Sequence, residues 1–232
     1  MTIDKIVAVT VSKDPVNWPL PNVPHLISNE PIYATRNDPF RYVSEMARIR
    51  NSAVETALKD RPEAAHVLVC DSYYVEQPAA LRQLILDYNG THVLGGALWA
   101  LNRVIFPQVF KCQIEWCDTW SVPDCAGFRY SLDTDHFKTV NHRFGLFPVN
   151  SVGGVFLFPR KVWDEGTRFG QYEDLHGCEF NYFSEHTRLP KMVDFNAAFF
   201  RETVYPVLKC LRVSLHLGRF RFWRKPGWNT AS

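Results

Sequence analysis

An apolar run that stops abruptly on an acid, Ala65–Val75, constrains the fold of this chain more than any other stretch. The four residues before Asp71 are apolar and rich in valine without alternation, which is typical of a strand buried on both faces. Asp71 then lies at the C-terminal end of that strand, where open α/β sheets bind their ligands. A carboxylate there can hold a divalent cation or a ribose hydroxyl. The alternative is that Asp71 only ends the strand and caps a turn.

The remaining periodicity predicts alternating strands and helices. Buried or partly buried strands are predicted at residues 5–12, 25–28, 66–70, 92–100, 151–158 and 191–198. Helices are predicted at residues 42–59, 78–88, 160–165 and 174–185, with mixed short strands and loops between 101 and 149. This order predicts a single α/β domain over residues 1–232, with a mixed, largely parallel central sheet flanked by helices.

Composition narrows the class of protein. The formal net charge is only +2, which argues against a nucleic-acid partner. The six cysteines form no Cys-x-x-Cys pair, which favours free thiols. No run approaches the ~20 apolar residues that span a bilayer, and the N-terminus lacks signal-peptide features, so we expect a cytoplasmic protein. The tail 205–232 has no acidic residue and several arginines, which makes it a candidate for peripheral contact with an anionic membrane.

Two features near the predicted strands are candidates for contact with a ligand. Arg48 and Asn51 lie three residues apart on one face of the first predicted helix, and the arginine fork suits phosphate or a base edge. The alternative is a solvated helix face. Gly153 and Gly154 interrupt an apolar strand, which indicates either close approach of the backbone to a ligand or tight packing against a helix.

Two further features could carry chemistry. Glu173 and Asp174 begin the predicted helix 174–185, and either carboxylate could act as a general base or simply favour the helix N-terminus. His216 is a candidate metal ligand, although a lone histidine is more often structural. Arg219 follows it in the tail and could meet a phosphate.

In this order, these features resemble a GT-A fold glycosyltransferase, over roughly residues 5–219. The shared features are an Ala-Arg-x-Arg-Asn helix, a strand ending in aspartate, Gly-Gly in a strand, Glu-Asp at a helix start and a late histidine. The Gly-Gly-Val-Phe-Leu-Phe strand is also similar, more distantly, to a Golgi mannosyltransferase family. The resemblance implies a Rossmann-like, nucleotide-sugar-dependent hexosyltransferase. Its nucleotide-binding half covers about 1–100, and its acceptor and catalytic half about 101–219.

The resemblance also implies Mn²⁺ or Mg²⁺ as cofactor, but the metal motif departs from the family pattern. The usual Asp-x-Asp is Asp71-Ser72-Tyr73 here, so a tyrosine replaces the second acid. Three options remain open: Asp71 binds the metal together with His216, the metal binds weakly, or the enzyme needs no metal.

The resemblance assigns the other positions as well. Asp174, beside Glu173, matches the base that takes a proton from the acceptor hydroxyl in inverting members. The positions that match the family's donor or nucleotide site are Arg48, Asn51, Asp71, Tyr73, Gly153, Gly154 and Arg219. The acceptor would be a saccharide, lipid or protein, and the aromatic stretch 116–130 is a candidate surface for it, the alternative being core packing.

Two other functions compete with this hypothesis. A nucleotidyltransferase would normally carry a glycine-rich basic loop after the first strand, whereas the loop after Ser12 begins Lys-Asp-Pro-Val. A degenerate module that binds a nucleotide or sugar without turnover is favoured by the missing second acid. The Glu173-Asp174 pair and His216 argue against that module.

Overall fold

The computed structural model describes residues 5–34, 38–106, 109–116, 145–149, 151–173 and 178–204. Eight strands lie within these ranges: β1 Ile6–Val11, β2 His25–Ser28, β3 His66–Cys70, β4 Val93–Phe106, β5 Val109–Trp116, β6 Leu146–Pro148, β7 Val155–Pro159 and β8 Lys191–Val204. The helices are α1 Pro39–Asp60, α2 Pro78–Asp87, α3 Arg160–Asp164 and α4 Glu179–His186. None of these described helices is long and apolar enough to cross a membrane.

The strands form one mixed sheet, consistent with a Rossmann-like α/β fold. The strand order is β2-β1-β3-β7-β4-β8-β6. The eighth strand, β5, is not part of this order and pairs with β4. The pairs β1–β2, β1–β3 and β4–β8 are parallel, whereas the pairs of β3–β7, β4–β7, β4–β5 and β6–β8 are antiparallel. The prediction of a largely parallel sheet is therefore wrong. The reason is that β7 inserts in the opposite direction between β3 and β4.

This insertion determines which segments meet at one edge of the sheet. Because β7 is antiparallel to β3, it begins where β3 ends, and Cys70 pairs with Val155. The amide of Asp71 donates to the carbonyl of Gly154 at 2.7 Å. The loop after β1 leaves the sheet at the same edge, because β1 runs parallel to β3.

The core lies on both faces of this sheet. In β3, Val67 and Val69 pack into the layer that includes α1, while Leu68 and Cys70 pack into the layer that includes α2. All four are at most 2% exposed, so the predicted two-sided burial of this strand is confirmed.

Helix α1 explains how a charged residue reaches the core. Asp38 caps its first turn by accepting from the Arg41 amide at 3.1 Å, and proline follows the cap. An apolar stripe then faces the sheet at helical spacing, including Met46, Ala53 and Ala57. Arg50 occupies a position in this buried stripe.

Two predicted boundaries differ from the structure. Helix α4 begins at Glu179 rather than at 174, because Cys178 is extended and its amide donates to the Asn181 side chain at 2.9 Å, which caps the helix there. Strand β7 begins at Val155 rather than at 151, because Gly154 adopts a positive φ of 34° and turns the chain. Strands β4 and β8 both continue beyond their predicted ends.

Candidate functional site

A cleft of about 640 Å³ opens at the edge where β1 and β3 end. Five segments contribute to it: the loop after β1, the loop before α1, helix α1 itself, the segment after β3, and the start of α4. The residues that matter most for its chemistry are Lys13, Asp14, Tyr33, Arg50, Asp71 and Glu179. Concave sites of this size are typical of small-molecule binding.

A buried arginine links two acids in this cleft. Arg50 Nη2 donates to Asp71 Oδ1 at 2.6 Å, and Arg50 Nε donates to Glu179 Oε1 at 3.1 Å. The guanidinium carbon lies 4.3 Å from the centroid of the Phe180 ring. Nη1 is buried and has no hydrogen-bond partner among the described residues. We call Arg50, Asp71 and Glu179 the buried triad.

Burial and charge act against each other in the buried triad. Burial alone would lower the pKa of Arg50, but the charges of Asp71 and Glu179 outweigh it and raise that pKa further above its usual range. Burial raises the pKa of Glu179, while the nearby guanidinium of Arg50 opposes that rise. One guanidinium thus faces two carboxyl groups, so the buried triad carries no net positive charge.

Asp71 is the member of the buried triad that remains accessible to solvent. Its side chain is 23% exposed, against 5% for Arg50 and 8% for Glu179. Its carboxylate makes no capping hydrogen bond to the short 3₁₀-helix Ser72–Tyr74 that follows. The alternative that this carboxylate serves only as a turn cap is therefore wrong, and its second oxygen has no partner among the described residues.

Two exposed tyrosines line the rim of the cleft. Tyr33 is 72% exposed and Tyr73 is 53% exposed. Glu45 on α1 holds the segment that carries Tyr33, since its carboxylate accepts from the amides of Tyr33 at 3.1 Å and Ala34 at 2.7 Å. These hydrogen bonds lower the pKa of Glu45. Flat aromatic surfaces at a rim can stack on a planar ring.

The predicted pair Arg48 and Asn51 lies on another face of α1. Arg48 is exposed and pairs with Glu30 at 2.8 Å. Asn51 donates to the carbonyl of Phe169 and accepts from its amide, both at 2.9 Å. Both residues line a separate groove outside the cleft. Their role at a donor site stays a prediction.

The second glycine of the predicted pair, Gly154, has a packing explanation. A Cβ on Gly154 would lie 2.9 Å from the Tyr74 ring and 3.0 Å from Leu98 Cδ1. Its positive φ also disfavours any other residue. Neither Gly153 nor Gly154 lines the cleft, although the Gly154 carbonyl fixes the backbone of Asp71.

Several predicted site residues are not placed here. Glu173 is exposed at the end of a described range, whereas Asp174, His216, Arg219 and most of the aromatic stretch lie outside the described residues. The predicted metal pair of Asp71 and His216 therefore stays a prediction. Within the described ranges, no three His, Cys, Asp or Glu side chains are grouped so that they could hold a metal ion.

Two residues of the site were not predicted from sequence. Arg50 was not among the predicted site residues, although its place in the apolar stripe of α1 is a signal of burial. Glu179 carries no comparable signal, because it lies 129 positions from the arginine it contacts. Only the packing of α4 against α1 brings them together.

The described residues define an α/β protein whose candidate ligand site lies at the carboxyl ends of two parallel strands. No known family model matches the chain, and no characterised protein matches it either.

Proposed function

We propose that this protein is a glycosyltransferase that moves a sugar from a nucleoside-diphosphate sugar to an acceptor hydroxyl, with the donor in the cleft beside Asp71. One observation carries the proposal: the buried guanidinium of Arg50 holds the Asp71 carboxylate at the carboxyl end of β3. That carboxylate makes no capping hydrogen bond to the short helix that follows. The exposed tyrosines at the rim suit a nucleobase, and the unpartnered Nη1 of Arg50 suits a ligand oxygen.

The charge of the buried triad favours a cation-dependent donor. Two carboxyl groups around one guanidinium do not attract a diphosphate. A divalent cation on the second oxygen of Asp71 would supply positive charge against the diphosphate, as oxygen ligands do for Mn²⁺ or Mg²⁺. His216 is the proposed second ligand.

In the proposed reaction, the bond between the anomeric carbon and the diphosphate oxygen breaks, and the acceptor oxygen forms the new bond. Asp174 takes the proton of the acceptor hydroxyl, and the nucleoside diphosphate leaves with the bonding electron pair. Attack from the opposite side inverts the anomeric configuration.

Calorimetric titration with UDP and with GDP, each with and without Mn²⁺, tests this proposal. We expect one nucleotide to bind, more tightly with Mn²⁺, and Asp71→Asn to weaken that binding at least about tenfold. Asp164→Asn is the matched control, because Asp164 is exposed on α3, does not line the cleft, and forms an ion pair with Arg160. If neither nucleotide binds folded protein, or if Asp71→Asn binds as the wild type does, the proposal fails.

The degenerate binding module remains the second candidate, and one observation favours it. Tyr73 stands where a second acid would be expected and is exposed at the rim of the cleft. Incubation with the donor sugar of whichever nucleotide binds separates the two candidates. Release of nucleoside diphosphate supports the transferase, whereas binding without release supports the module.

A further inference from the structure

We propose that Glu179 is the positioning residue of the cleft: it orients Arg50, and through Arg50 it fixes the Asp71 carboxylate for its ligand. This inference rests on the proposed function in that the ligand is a nucleotide. Glu179 itself does not need to touch that ligand.

The hydrogen bonds of Arg50 show how the orientation is set. A guanidinium is planar, so the direction of Nε–H fixes the direction of both Nη groups. The bond from Nε to Glu179 therefore aims Nη2 at Asp71 Oδ1. With Oδ1 occupied, the other oxygen of Asp71 is left for the ligand. The Phe180 ring, one residue beyond Glu179, lies against the guanidinium.

Burial distinguishes the roles of the two acids. Glu179 is inside the protein, whereas Asp71 is partly open to the cleft. A buried carboxylate is costly unless it is paired, and a helix start alone would not require an acid at this depth. The two acids thus form an inner anchor and an outer, ligand-facing group, joined by one arginine.

A simple capping role for Glu179 is the main alternative, because it is the first residue of α4 and acids stabilise helix N-termini. The two roles differ in their dependence on Arg50. A capping residue acts whatever residue occupies position 50, whereas a positioning residue acts only through the arginine fork. A double-mutant cycle with Arg50→Lys measures this dependence.

The experiment compares wild type, Glu179→Gln, Arg50→Lys and the double variant by calorimetric titration with UDP and GDP in Mn²⁺. We expect Glu179→Gln to weaken nucleotide binding about tenfold or more. In the Arg50→Lys background the same change should add less than about twofold, because lysine cannot bridge both acids. Glu55→Gln is the control, since it removes the same charge from a glutamate that pairs with Arg168 outside the cleft.

A second readout needs no nucleotide. The ¹⁵N–¹H resonances of Arg50 Nε and of the Asp71 amide should both shift in Glu179→Gln and stay in place in Glu55→Gln. If the wild type binds no nucleotide but both resonances shift in this way, the proposed function fails and the positioning role stands.

Three results would overturn the positioning role. The first is that Glu179→Gln binds the nucleotide as tightly as the wild type does. The second is that the fold-losses in affinity of the two single variants multiply in the double variant. The third is that the Asp71 amide resonance does not shift in Glu179→Gln. If Glu179→Gln does not fold, Glu179→Asp replaces it, because this variant keeps the charge but withdraws the carboxylate by one methylene. A loss of binding that disappears in the Arg50→Lys background is again expected, and a loss that persists there would contradict the role.

Discussion

At the residue scale, Asp194 is a buried acid outside the cleft. It lies on β8, is 0% exposed, and accepts from the Asn196 amide at 2.9 Å. The carboxylate of Asp87, at the end of α2, is its charged neighbour. Burial, together with Asp87, raises the pKa of Asp194 to about 7. The folded state therefore holds a proton that the unfolded chain releases.

This difference predicts a pH dependence of stability. The ordinary pKa of Asp194 is 3.8, so between about pH 4 and pH 7 the folded state binds more protons than the unfolded state. The contribution of Asp194 to the free energy of unfolding should fall across this window, by at most about 1.4 kcal/mol per pH unit. Above pH 7 it should be constant.

Asp194→Asn isolates this effect, because the amide oxygen can still accept from Asn196 while no charge forms. Urea unfolding at several pH values should show the variant gaining stability relative to the wild type as the pH rises from about 4 to 7. A difference between the two proteins that does not change with pH would contradict the assignment. Asp164→Asn, an exposed acid on α3, should show no such trend.

At the element scale, the start of β7 depends on Gly154. The positive φ lets the chain turn into the strand, and the Gly154 carbonyl receives the amide of Asp71. This hydrogen bond links the start of β7 to Asp71, which lines the cleft.

Gly154→Ala should destabilise the protein by about 2 kcal/mol or more, because it adds backbone strain and a methyl group against Tyr74 and Leu98. Gly166→Ala is the matched control: its φ is +95°, but a Cβ there meets nothing within 4 Å. It should lose only about 1 kcal/mol from backbone strain. Denaturant titration measures both, and equal losses would show that the steric contact with Tyr74 is unimportant.

At the scale of the whole molecule, the centre of the sheet holds the fold together. Strands β3 and β7 are adjacent, and their residues from 67 to 70 and from 155 to 158 are at most 2% exposed. Strands β2 and β6 end the sequence of paired strands in the described sheet and are shorter.

Amide hydrogen exchange should follow this arrangement. We expect the amides of β3 and β7 to exchange most slowly, through global unfolding, and those of β2 and β6 to exchange faster, through local opening. Faster exchange in β3 than in β2 would contradict this account of the core. Mass spectrometry of peptides from the exchanged protein provides the measurement.

The sequence by itself determined most of the helices and strands, because their signals are local. The apolar stripe at a period of about 3.6 predicted α1, proline at the first turn predicted α2, and the unbroken apolar run ending at Asp71 predicted β3. It also singled out Asp71, since a strand end can be recognised without knowing the neighbouring strands.

Only the tertiary structure decided the direction of β7 and the membership of the buried triad. A strand has the same side-chain period in either direction, so periodicity did not reveal that β7 is antiparallel to β3. Arg50 meets Asp71 across 21 positions and Glu179 across 129, and these contacts exist only because α1 and α4 pack on one face of the sheet. Charges so far apart in the chain leave no local pattern, because their pairing depends on how separate elements pack.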